Sequence, residues 1–161
     1  MRSIARCTFR GAPDTMHNQL LIGGLVSLAN FGIHAVMTGL IVVVTHHVAG
    51  RTDDLHVFMR LSALMLVTVC VLMLAHVVEI SVWASCYALA GIETEKAGAF
   101  EFAFENYTAL GYGDAVASQG YRMMGPITAL NGLLLIGWSV AIIFEVVKMA
   151  DVQISKRKRA D

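Results

Sequence analysis

The chain has 161 residues, room for one ordinary domain. Hydrophobic residues make up 57% and charged residues 15%, at a mean hydropathy of +0.65, so a membrane protein is expected rather than a soluble domain. Twelve Lys and Arg balance twelve Asp and Glu, and there is no broad basic surface of the kind nucleic acid requires.

Residues 1–17 form an N-terminal segment carrying Arg2, Arg6 and Arg10. The apolar stretch that follows is too long, and lacks the small-residue cleavage pattern, for a removed signal peptide. Apolar runs at about residues 20–45, 61–90 and 123–149 each exceed the roughly 20 residues a helix needs to cross a bilayer. The first run, within residues 18–59, has no arginine at every third position and so is no ordinary voltage sensor. Its small residues (Gly23, Gly24, Ser27, Ala35 and Gly39) suit packing against other helices. His34 stands alone among apolar neighbours, where a satisfied polar contact is the commoner role than a haem or metal ligand.

In the second run His76, Glu79, Trp83 and Tyr87 fall on one helix face. Ionisable residues in a membrane usually face protein and have a partner. An internal His76–Glu79 hydrogen bond is the plain expectation, and a pH sensor the alternative. The His-x-x-Glu spacing also resembles metal-binding bundle helices, but a site of that type needs more such ligands than this chain shows. Cys7, Cys70 and Cys86 have neither disulfide nor metal spacing, and Cys70 within an apolar run reads as a small hydrophobe.

Residues 91–122 are too polar to span. Within residues 98–114, Ala99, Phe100, Phe102, Ala103, Phe104 and Tyr107 predict a short apolar helix, followed by Thr108-Ala109-Leu110-Gly111-Tyr112-Gly113-Asp114. A helix that enters a membrane and stops partway leaves carbonyls that only water, protein or an ion can satisfy. Its C-terminus carries partial negative charge, which favours a cation just beyond it. Alternate glycines at 111 and 113 permit backbone angles closed to other residues, so that successive carbonyls can face one axis.

The Thr108–Asp114 string, the short helix before it and a third run reading Gly125-Pro126, Ala129, Asn131-Gly132, Leu134 and Gly137-Trp138-Ser139 together resemble the pore module of the potassium-channel superfamily. The likeness is greatest to small bacterial two- and three-span channels, and it places the pore domain at residues 60–149 with outer helix, pore helix, filter and inner helix. It implies that Leu110, Gly111 and Tyr112 offer carbonyls to potassium, with Gly113 at the outer mouth and Asp114 behind it. It implies too that Glu105 shares a proton or a water with Asp114, as two carboxylates held close do, although Glu105 could equally snorkel to solvent. The family usually has threonine where Ala109 stands, so the innermost ion site lacks a ring of hydroxyls. Where many relatives place tryptophans this chain has Glu101-Phe102, and Phe102 can pack but not donate a hydrogen bond. Gly132 falls where relatives hinge the inner helix, or else allows close helix packing. With the helix starting at Arg122, Leu133, Ile136, Val140 and Phe144 line the cavity, and an apolar lining can close by dewetting. Glu145 either draws cations to the inner mouth or is a solvated helix end.

The expected fold class is an all-α membrane protein with three transmembrane helices and a re-entrant pore helix and filter loop between the second and third. It assembles as a homotetramer, since one loop supplies a quarter of a filter. With the filter outside, seven Lys and Arg face the cytoplasm against five outside, a weak positive-inside bias. Removing the first fifteen residues makes it seven against two, so Met16 is expected to be the true start. An intact Arg2–Thr15 segment in mass spectra of the natively expressed protein would refute this. The basic tail, residues 150–161, is expected at the cytoplasmic face of a bacterial-type inner membrane, beside anionic lipid. The resulting expectation is passive potassium conduction, with potassium as the permeating ion, no organic cofactor, no catalysis and no nucleic-acid partner. The alternatives are a weakly selective monovalent cation channel and a non-conducting scaffold or metal/haem protein using His34, His76 and Glu79.

Overall fold

A computed structural model describes residues 16–52, 56–92, 98–111, 117 and 120–157, and among these all regular structure is helical. The helices are α1 (Met16–Arg51), α2 (Val57–Ala90), α3 (Ala99–Tyr107) and α4 (Met124–Arg157). Three segments are long and apolar enough to cross a membrane: Met16–Arg51, Val57–Ala90 and Met124–Ala150. The chain is an integral membrane protein. The helices overrun the apolar runs that announce them because hydropathy reports the hydrocarbon layer, while a helix continues into the interface.

Helix α2 stops where Gly91 takes the left-handed conformation at φ 66°, its N–H donating to the Ala88 carbonyl. The next residue, Ile92, donates its N–H to the Tyr87 carbonyl and turns its side chain into the core. Nine residues make α3 about 13–14 Å long, less than half a bilayer core. Its buried face is Phe102, Ala103 and Tyr107, while Phe100 and Phe104 point outward.

Contacts fix the directions. Gly23 meets Ile127, Asn30 meets Asn131 and His34 approaches Ser139, so α1 and α4 run parallel. Both run antiparallel to α2. One apolar cluster joins Ile80, Trp83, Tyr87, Phe102, Tyr107, Met124 and Leu135 around α3. A second joins Ile41, Leu64, Leu72 and Val146 toward the other end. Between them lies a polar layer of Asn30, His34, Glu79, Asn131 and Ser139, all buried. The protein is thus polar inside and apolar outside, with Leu21, Leu25, Leu28, Val36 and Val43 of α1 exposed. In lipid the apolar atoms gain nothing by hiding, whereas every polar group must find a partner within the protein. Hydroxyls away from the layer satisfy themselves locally, as Thr45, Thr68 and Ser81 do by donating to carbonyls one turn back.

Candidate functional site

Helix α3 lies against α2 and α4, and its seating rests on two glycines of α4. A Cβ on Gly132 would overlap the Tyr107 backbone carbonyl, and one on Gly125 would come within 2.7 Å of Asn106 Oδ1. Both glycines therefore let α4 ride directly on the C-terminal half of α3. For Gly132 this close contact answers the packing alternative. Gly137 has open space where a Cβ would sit, so it makes no such contact within the chain. Phe102 packs on Tyr87 with ring centroids 5.2 Å apart, and the Tyr87 hydroxyl sits 2.6 Å from Thr128 Oγ1 of α4. Phe102 braces α3 by packing, with the hydrogen bond supplied by its neighbour Tyr87.

Beyond Tyr107 the chain unwinds. Thr108 N–H still donates to the Phe104 carbonyl, Ala109 N–H to Asn106 and Leu110 N–H to Glu105. The Thr108 hydroxyl donates back to the Phe104 carbonyl at 2.9 Å, so it caps the helix end. Ala109 has φ 54°, the one non-glycine with positive φ among the described residues, and Gly111 has the same value. Of the two glycines of the string, Gly111 is left-handed here, while Gly113 lies outside the described residues. Leu110 is exposed, and Glu105 is half-buried on α3. Tyr112, Gly113 and Asp114 lie outside the described residues, as does the expected Glu105–Asp114 pairing. On α4, Leu133, Val140 and Phe144 are exposed at 54%, 61% and 69%, whereas Ile136 is half-buried against the α3 cluster. Glu145 is exposed.

The polar layer behind α3 is the part that sequence reasoning largely missed. Glu79 is fully buried. Its Oε1 lies 2.8 Å from His34 Nδ1, and its Oε2 3.1 Å from His76 Nδ1 and 2.5 Å from the Tyr107 hydroxyl. His76 Nε2 lies 2.9 Å from Ser139 Oγ. The expected His76–Glu79 bond is present, but His34 is not alone: α1 inserts it into the same cluster. One layer away Asn131 Oδ1 accepts from Asn30 Nδ2 at 3.1 Å and from Trp83 Nε1 at 2.9 Å. Because an indole N–H can only donate, Trp83 fixes the orientation of the Asn131 amide. Near the start of α4, Gln19 Nε2 donates to the Gly120 carbonyl and Gln19 Oε1 accepts from Met123 N–H at 3.1 Å. The first span is therefore tied to α2 and α4 along most of its length. Asn30, Gln19 and Trp83 are single polar or aromatic residues on hydrophobic helices, and only their pairing across helices marks them.

Residues 61–149, more than half of the chain, match the model of a family described as ion channel. No curated protein and no solved structure matches the chain. The matched segment runs from near the start of α2, through α3, to the membrane-spanning part of α4, which is the outer-helix, short-helix and inner-helix order described above. On that match the chain belongs to the potassium-channel-like pore family of ion channels.

Proposed function

We propose that the chain conducts potassium passively through a homotetrameric pore, with α3 as a re-entrant pore helix and residues 108–114 of each copy as a quarter of the filter. The observation that carries this reading is the place of the Thr-Ala-Leu-Gly-Tyr-Gly-Asp string: it begins where α3 ends, and α3 is too short to leave the membrane on the far side. Potassium binds to the carbonyls of Leu110, Gly111 and Tyr112, in the partial negative charge of four α3 C-termini. Asp114, sharing a proton or water with Glu105, stands behind the outer mouth. Exposed Leu133, Val140 and Phe144, with Ile136 beside them, line an apolar cavity on the inner side. The filter faces outside a bacterial-type inner membrane. The basic C-terminal tail lies in the cytoplasm against anionic lipid.

A second reading, weak selectivity among monovalent cations, is favoured by one observation. Ala109 has no hydroxyl, so the position where relatives carry a threonine offers no side-chain oxygen to the inner end of the filter. Reversal potentials of the reconstituted protein in opposed potassium and sodium gradients separate the readings. The expected potential lies near that of potassium; one midway between the two ions supports the second reading, and folded tetramers without flux refute both. Ala109→Thr is expected to tighten barium block. A β-branched residue at φ 54° also costs about 1 kcal/mol or more, so the same variant should melt earlier. Unchanged barium block means that residue 109 does not face the ion.

A further inference from the structure

Four helices bring two imidazoles, a carboxylate, a phenol and a hydroxyl to one point inside the membrane. His34 and Glu79 are fully buried and His76 is 16% exposed. His34, His76 and Glu79 offer ligand atoms that all lie within 4.8 Å of one another. One tautomer pattern of this cluster is completed by a bound cation. If both histidines are neutral and donate from Nδ1 to Glu79, both Nε2 atoms need a donor. Both face Ser139 Oγ, His76 at 2.9 Å and His34 at 3.5 Å, and a hydroxyl has one proton to give. Reverse the tautomers and the count closes on that side. Both Nε2–H groups then donate to the Ser139 oxygen, which has two lone pairs. Both Nδ1 lone pairs now face the Glu79 carboxylate, an arrangement that a positive ion between them stabilises.

We infer that His34 Nδ1, His76 Nδ1 and the Glu79 carboxylate, with the Tyr107 hydroxyl beside them, form a binding site for a divalent transition-metal ion of the zinc class. Two imidazoles and one carboxylate are a known zinc donor set. Metal–ligand bonds of about 2.0–2.1 Å put neighbouring tetrahedral ligands roughly 3.3 Å apart. The nitrogen–oxygen separations here, 2.8 Å for His34 and 3.1 Å for His76, need only a small expansion to accept the ion. Ser139 plays the outer role, accepting the far N–H of each ring and so fixing tautomer and orientation. A route in exists. A groove of about 360 Å³ between α2, α3 and α4 is lined by His76, Tyr107 and Ser139 among apolar side chains. A metal ion here joins α1 to α2 next to the last residue of α3. The inference rests on the packing of the helices and is independent of whether the pore selects potassium.

The test isolates the two buried histidines. The chain has six histidines, and the other four, His17, His46, His47 and His56, are all exposed. Their joint replacement by Asn leaves His34 and His76 as the only imidazoles. This protein, purified in detergent and stripped with chelator, is titrated with Zn²⁺ and with Co²⁺. Expected are saturable uptake of one ion per chain, a tetrahedral cobalt absorption spectrum and a zinc X-ray absorption signature of two imidazoles at about 2.0–2.1 Å. Glu79→Gln, His34→Gln and His76→Gln, the last two keeping an amide near the Nε2 position, each weaken uptake by more than tenfold. Ser139→Ala weakens it about 10–100-fold. Absence of uptake in the four-histidine variant overturns the inference, and so does uptake that the Gln variants leave unchanged or a zinc shell of oxygens only. If a Gln variant does not fold, the absorption signature of the unaltered cluster decides. Potassium flux is read separately, so failure of metal binding leaves the channel reading standing and failure of flux leaves the metal site standing.

Discussion

Gly132→Ala is expected to prevent assembly of a stable protein, or to lower its melting temperature more than any other single-methyl change. A Cβ at this position would overlap the Tyr107 carbonyl, a backbone atom that cannot swing aside. Overpacking in a tight core usually costs about 1–3 kcal/mol, and a backbone obstacle places this variant at the upper end or beyond. Relief requires α4 to move away from α3, which also separates the Gly125–Asn106 contact about two turns earlier. Gly137→Ala is the control, because nothing stands within 4 Å of the corresponding position. The measurement is thermal unfolding of the detergent-solubilised protein alongside its yield as an assembled species. Equal behaviour of the two variants would show that α4 does not ride on the end of α3.

Glu79→Ala should be the most damaging change among the polar residues, by about 3 kcal/mol or more. An interhelical hydrogen bond in a membrane averages only about 0.6 kcal/mol, so a single lost bond would predict far less. Glu79 is different because its carboxylate stands against His34, His76 and Tyr107 together. Its removal leaves groups from three helices without an acceptor in a place water does not reach, and each stranded buried group costs about 1–3 kcal/mol. Some of that is recovered, since the Tyr107 hydroxyl can turn to His76 Nδ1, 2.9 Å away. Glu79→Gln, which keeps the shape and one acceptor oxygen, should fall between wild type and Ala. Thermal unfolding in detergent reads both, and a melting temperature within a degree or two of wild type for Glu79→Ala would mean that the cluster is hydrated.

The sequence was legible wherever a local rule applied. Length and apolarity locate three spans, and a short aromatic segment ahead of Thr108-Ala109-Leu110-Gly111 locates α3. Phe102 as a packing residue and the His76–Glu79 bond follow from spacing within one helix. What could not be read was register between helices. Asn30 and Asn131 are 101 residues apart, and His34 and Glu79 are 45 apart. No periodicity along one helix says which residue of another it will face. The lone histidine of the first span therefore looked like an isolated polar contact until α1 was set against α2. The choice at Gly132 was likewise undecidable without the position of the Tyr107 carbonyl.

The polar stripe of α1 has a consequence for how the protein is made. This helix leaves the ribosome before α2 and α4, and it enters the bilayer with Gln19, Asn30 and His34 turned toward partners not yet synthesised. Glu79 arrives with α2, but Asn131 and Ser139 come only later, with α4. Until then α1 lacks the polar partners that α4 supplies, a condition that favours lingering beside the insertion machinery over diffusing into lipid. Burial of the α1 stripe thus waits for α4, and a chain cut short before α4 remains marked as unfinished by the side chains that α4 would have covered.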